Sequence, residues 1–294
     1  MKAYLPILAS LVLFGCSSTH NNVVINNTDS FRVDSGKLEN ALGRQDDAAK
    51  ARYGSRNPQE TLEFFGIAPG MTVVEALPGG GWYSKVLLPY LGEEGRLVGV
   101  DYSLDMYPLF GFFSEEALEK KKTWTADWTR EASGWRSPGD AYVAAFTFGG
   151  LPATMSGQAD AVLFVRALHN LSRFENEGAY LSTAISDAMR VLKPGGIVGI
   201  VQHRAPADAP AASVKGDRGY MKQDDVIAFM RKAGFEYVGA SEVNANPKDV
   251  PGVTDIVWRL PPSMVTSRED ADLRKKMQSI GESDRMTLKF VKPM

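Results

Sequence analysis

The chain is poor in cysteine and histidine and nearly balanced in charge. Its 33 Lys and Arg stand against 35 Asp and Glu, a formal net charge of −2 over 294 residues. A single cysteine, Cys16, excludes an intrachain disulfide and a metal site built on cysteines. The three histidines, His20, His169 and His203, are too scattered in sequence to mark a metal centre, so no metal site is expected. The near-neutral balance carries no signature of nucleic-acid binding. The apolar run from Ala3 to Phe14 is too short for a stable membrane-spanning helix. What remains is a chain with 44% hydrophobic and 23% charged residues, enough for one large domain or two small ones with a real core.

The most informative stretch runs from Thr72 to Ser84. Pro69-Gly70 punctuates the turn before it, and the β-branched Val73 and Val74 predict a buried strand. Gly79, Gly80 and Gly81 then end that strand, since a backbone without Cβ atoms can bend sharply and lie against a ligand. Trp82, Val86, Leu87 and Tyr90 predict a helix with one apolar side. Strand, glycine turn and helix open a nucleotide-type α/β fold. A second strand, Leu97 to Val100, ends in Asp101, where a carboxylate can take both hydroxyls of a ribose. The dinucleotide fingerprint fails at Ser84, where it requires a third glycine. The acidic Glu75, four positions before Gly79-x-Gly81, instead resembles the first motif of class I S-adenosylmethionine (SAM) methyltransferases. There the acidic residue faces the amino-acid part of SAM. Leu77-Pro78 departs from that pattern, which often has another glycine.

The chain begins with a different signal. Lys2, the apolar run to Phe14, and Leu13-Phe14-Gly15-Cys16 resemble a signal peptide with the lipobox of bacterial lipoproteins. That resemblance implies a signal peptide over residues 1–16, a lipid anchor on Cys16, a polar linker over 17–36 and a domain over 37–294. It further implies a periplasmic location at the outer membrane, because Ser17 is not aspartate.

Farther along, Lys37 to Tyr53 reads as a polar helix, and Asn57-Pro58-Gln59-Glu60 as the capped start of another that Gly66 ends. Tyr102 to Trp135 reads as irregular apart from a surface helix from Ser114 to Lys122, with Trp124, Trp128 and Trp135 as packing residues. Tyr142 to Phe148 predicts a third strand, without the acidic residue that the resembling methyltransferase family often has near the adenine. Asp160 to Arg166 predicts a fourth, apolar enough to be covered on both faces. Ligands lie beyond the carboxyl ends of such strands, which places Arg166, His169 and Asn170 near the glycine turn. His169 there suits proton transfer from a substrate, or equally a backbone bond at the strand end. Lys193-Pro194-Gly195-Gly196 predicts a turn into a fifth strand, Ile197 to Gln202, followed by His203-Arg204 and by Tyr220 after a loop. Gln223 to Ala233 reads as a helix and Phe235 to Val243 as a strand. Asn244 to Ile280 reads as an extended loop with short elements, and Met286 to Lys292 as a closing strand.

The order of Pro78 to Tyr83, Arg166 to Asn170, Leu192 to Gly196, His203-Arg204-Ala205, Asn244 to Pro247 and Gly281 to Phe290 resembles a bacterial branch of class I SAM methyltransferases. The resemblance implies a Rossmann-like α/β fold: a seven-stranded, mostly parallel sheet with one antiparallel strand and helices on both faces. It implies SAM as cofactor, held by Glu75, Gly79, Gly80, Gly81, Tyr83, Asp101, Tyr102 and Arg166. His169, His203 and Tyr220 are the candidates for substrate orientation or base, acting on a small-molecule acceptor. The alternative is a non-catalytic envelope lipoprotein that binds a small molecule or envelope component through the same pocket. An NAD-type oxidoreductase is a third reading, disfavoured by Ser84.

Overall fold

The computed structural model describes Met1 and residues 31–294. The signal-peptide, lipobox and Cys16 readings, and most of the polar linker, lie outside the described residues. Residues 31–294 carry seven strands: β1 (Thr72–Ala76), β2 (Arg96–Asp101), β3 (Tyr142–Thr147), β4 (Ala159–Val165), β5 (Leu192–His203), β6 (Glu236–Ser241) and β7 (Arg285–Val291). They form one sheet in the order β3-β2-β1-β4-β5-β7-β6. All neighbours from β3 to β5 run parallel, while β7 runs antiparallel to both β5 and β6. This is the doubly wound, mostly parallel sheet expected. The chain order reverses at β1, between β2 and β4, and such a switch point opens a crevice beyond the strand ends.

The central strands are apolar on both faces because both faces are covered. Val74, Ala76, Val162, Phe164, Val198 and Ile200 pack on one side with residues of the helices Tyr180–Val191 and Gln223–Lys232. Val73, Leu97, Ala161, Leu163 and Val201 face the other side. There the helices Ser35–Gly43, Pro58–Phe65, Ser84–Leu91 and Trp124–Trp135 contribute the second core. Gly99 makes a tight join: a Cβ would stand 2.7 Å from the Trp128 ring, so no larger residue fits beneath that helix.

The helix Ser84–Leu91 contains Pro89, which has no N–H for the Lys85 carbonyl. Gln45 Nε2 takes that place, donating to Lys85 O at 2.8 Å.

Four expectations need correction. Trp124–Trp135 is a continuous helix; its three tryptophans lie on a polar chain, so apolar periodicity alone does not reveal it. Ala271–Ile280 is a helix inside the stretch read as a loop, capped by Asp270. The Lys193–Gly196 turn is absorbed into β5 as an irregularity, with Ala159 opposite Leu192 and Ala161 opposite Ile197. Asn57 does not cap the helix it precedes: it sits at φ 38° and donates through Nδ2 to Val243 O at 2.6 Å, tying the amino-terminal helices to the end of β6.

Candidate functional site

At the carboxyl ends of β1, β2 and β4 a cavity of about 370 Å³ opens, within the range of small-molecule sites. Its walls include Leu77 and Gly79 from the glycine turn, Asp101 and Tyr102 from the end of β2, Arg166, His169 and Asn170 after β4, and His203 from β5. Tyr107, Phe113, Lys121, Val165 and Trp258 complete it. The crevice predicted at the strand ends is therefore present, and it gathers residues far apart in sequence.

Backbone geometry explains the turn. Leu77 has φ 53° and Gly79 φ 55°, both left-handed. Leu77 stands where the resembling motif often has glycine; it accepts the unfavourable φ, a cost of roughly 1–2 kcal/mol, while its side chain packs against the core. A Cβ on Gly79 would meet nothing within 4 Å, so backbone faces open space there. Gly81 is required for another reason, because a Cβ would come 2.3 Å from the Trp135 ring. Arg166 is the other left-handed residue of the cavity, at φ 57°. Among the described residues, five non-glycines have positive φ, and two of them line this one cavity. Such backbone concentrates at ligand sites.

The two carboxylates that look equivalent in sequence have different surroundings. Asp101 borders the cavity. Its Oδ1 accepts from the Tyr102 N–H at 2.8 Å, and Oδ2 lies 3.7 Å from Lys121 Nζ. Burial raises its pKa, and the Lys121 ammonium opposes the rise. Lys121 also sits 4.5 Å above the Tyr107 ring. Glu75 is 3% exposed and does not border the cavity. Ser84 Oγ donates to its Oε2 at 2.6 Å, and burial pushes its pKa up to about 8. The Ser84 that breaks the dinucleotide fingerprint is thus the partner of Glu75.

Gly80, Gly81 and Tyr83 also stand away from the cavity wall; Tyr83 is 5% exposed, packed edge-on against Trp82 at 4.8 Å. Gly79, Asp101, Tyr102 and Arg166 are the expected cofactor residues that reach it.

The histidines converge. The His169 and His203 rings lie 5.3 Å apart, and both border the cavity. Gln202 Nε2 donates to Gly219 O at 2.8 Å, which leaves Gln202 Oε1 as the atom 3.2 Å from His169 Nδ1. A carbonyl oxygen accepts, so His169 carries its proton on Nδ1 and Nε2 is a free acceptor. Burial lowers the His169 pKa to about 4, with Arg166 adding to the effect, so the ring is neutral at neutral pH. His203 Nδ1 is 2.6 Å from Ser283 Oγ; burial first, then His169 and Arg166, hold its pKa well below the usual value. Tyr220 lies apart. Its hydroxyl donates to Asp249, 3.0 Å from Oδ2, and its ring borders a second cavity with Ala205, Val214 and Pro251. Asp249 is fully enclosed and paired with Arg259 at 2.7 Å, so this group reads as a support.

Lys121 and Trp258 were not among the sequence candidates. Lys121 lies in a lysine run on a surface helix, and Trp258 in a segment without periodicity, so neither had a distinguishing local signal.

No family model matches the chain, and no curated protein matches it. Solved structures do. A chain from the complex between the Haloferax volcanii Trm112 methyltransferase activator and a methyltransferase is 16% identical, with 88% of this chain and 97% of that chain covered and a TM-score of 0.50. The [4+2]-cyclase SpnF is 17% identical, with 87% and 92% covered and a TM-score of 0.52. The chain shares their fold. That two such chemistries occur on it means the cavity, and not the sheet, must carry any statement about activity.

Proposed function

We propose that the chain is a SAM-dependent methyltransferase acting on a small-molecule acceptor. The observation that carries this reading is a single cavity bordered by both Gly79 backbone and the Asp101 carboxylate, on a fold shared with a methyltransferase. The residues fit the cofactor at its ribose end: Asp101 is an acceptor for two hydroxyls, and the absent Cβ of Gly79 leaves room for a ligand against the backbone. They fit less well at the amino-acid end, where Glu75 is turned to Ser84.

Bound SAM would supply an already activated methyl group. The protein's own share is then orientation and proton removal, since an in-line nucleophile gains most of its rate from placement. His169 is positioned for proton removal. Its Nδ1–H is fixed by Gln202, and its neutral ring offers Nε2 as the acceptor of a proton from a hydroxyl, thiol or ammonium. His203 and Trp258 would shape the space beside it.

The non-catalytic reading has one observation in its favour, the enclosure of Glu75. With either reading we propose a lipid anchor at Cys16 and a periplasmic location at the outer membrane. Palmitate labelling with cell fractionation tests these; a soluble, unlabelled product would remove them. Calorimetric titration of the purified chain with SAM tests the cofactor: the reading predicts binding, and heat indistinguishable from dilution would end it.

A further inference from the structure

Beside His169 the charge is out of balance. Glu282 accepts from Arg52 at 2.5 Å, lies 3.3 Å from Arg56 Nε and 3.2 Å from Arg285 Nη1. Three guanidiniums thus share one carboxylate. The fourth, Arg166, is near enough to Arg56 and Arg285 for both to lower its pKa, to about 9, after burial, the largest cause. The Arg166 backbone N–H donates to Val201 O at 2.6 Å, but its guanidinium makes no hydrogen bond or ion pair among the described residues, and it borders the cavity with His169, His203 and Trp258. The neighbouring carboxylate, Asp284, is already held by Arg204 at 2.8 Å. The Arg56 and Arg285 side chains are about 5% and 4% exposed, too enclosed for water to screen them well.

Four guanidiniums against one carboxylate leave a net positive charge behind the cavity, which meets it through Arg166. Resting on the reading above, SAM does not balance it: the sulfonium and ammonium outnumber its carboxylate, and the whole molecule is a cation. A cationic cofactor beside uncompensated positive charge costs energy unless something else brings negative charge.

We propose that the acceptor is an oxyanion, a carboxylate or phosphate, and that Arg166 is the residue that holds it, with Arg56 and Arg285 behind. A guanidinium presents two parallel N–H donors to either group, which fixes orientation as well as adding attraction. The anion also acts on the base. Arg166 depresses the affinity of both His169 and His203 for protons, so a negative charge on Arg166 raises it when the acceptor arrives.

Calorimetry on the full chain tests this, with inorganic phosphate and succinate as probes and SAM titrated with and without them. The expected result is that at least one probe binds and SAM binds more tightly in its presence. Arg166→Gln should weaken the probe about tenfold or more, the scale of one charge-assisted contact, while SAM affinity without probe changes less than about twofold or improves. Arg166→Lys should recover part of the probe binding, and Lys120→Gln on an exposed helix should alter nothing. Two results overturn the proposal: no probe binding to the wild type, or an Arg166→Gln loss that falls on SAM alone, which would assign Arg166 to the methionine carboxylate. The dependence of wild-type SAM affinity on phosphate needs no variant, so a misfolded Arg166→Gln leaves the test intact. Probe binding without any SAM binding would remove the cofactor reading and keep the anion site.

Discussion

The two ends of the cavity are built on opposite electrostatic plans. At one end a single carboxylate, Asp101, meets a single ammonium, Lys121, 3.7 Å away and 27% exposed, so charge is balanced and water can reach the pair. At the other, Arg166 is the member of a guanidinium group that reaches the cavity; behind it Arg52, Arg56 and Arg285 hold Glu282, and most of that group is enclosed. On the proposed reading, the difference assigns selectivity to the guanidinium end. A balanced, partly wet end can receive a neutral ribose by exchanging hydrogen bonds. An unbalanced, dry end discriminates by charge, because only an anion relieves it.

Removing the carboxylate of the dry end should break the comparison most severely. Glu282→Gln leaves three guanidiniums, two of them buried, without their counter-ion, and we expect a loss of about 3–5 kcal/mol in denaturant titrations at pH 7. Added phosphate should recover part of it. Next in size is Glu75→Gln, which tests a carboxyl enclosed away from both ends. Its folded pKa, about 8, lies above the unfolded value. The folded chain therefore binds the extra proton between these values, and wild-type stability should fall as pH rises toward 8, by about 1.4 kcal/mol per pH unit. The variant should lose that slope; an unchanged slope would mean that Glu75 is ionised in the folded chain. His169 has the opposite sign. Its pKa of about 4 lies below the unfolded value, so its contribution is lost as pH falls from about 6.5 toward 4, and His169→Gln should flatten that acid limb. At the wet end Lys121→Gln should cost about 1 kcal/mol or less, in keeping with partial exposure. The smallest effect is expected from Arg44→Ala, whose side chain is 44% exposed beside Asp140; about 0.5 kcal/mol is the ceiling for such a pair.

The sheet was legible in the sequence because its strands are short apolar runs bounded by glycine, proline or a terminal polar residue, as at Val73-Val74 and Leu97 to Asp101. The convergence of Gly79, Asp101, Arg166 and His169 followed from one topological rule about strand ends. Other features were not legible. Glu75 and Asp101 both end or nearly end strands, and only the packing of Ser84 Oγ on Glu75 separates their roles. Tyr220 follows a loop after β5 as a covering residue would, but its partner Asp249 is 29 positions away. The guanidinium cluster joins Arg52 and Arg56 to Glu282 and Arg285 across more than two hundred residues, and no local pattern announces such a meeting. The helices Trp124–Trp135 and Ala271–Ile280 were missed because their apolar faces are narrow and their polar residues many.

The central claim is that Asp101 and the Gly79 backbone border a SAM site. Titration of SAM into the purified wild type and into Asp101→Ala, under one set of salt and pH conditions, tests it most directly. The account predicts saturable binding to the wild type and a loss of at least about tenfold in the variant, the worth of a carboxylate's hydrogen bonds to two hydroxyls. Equal affinity of the two proteins, or binding to neither, would contradict it.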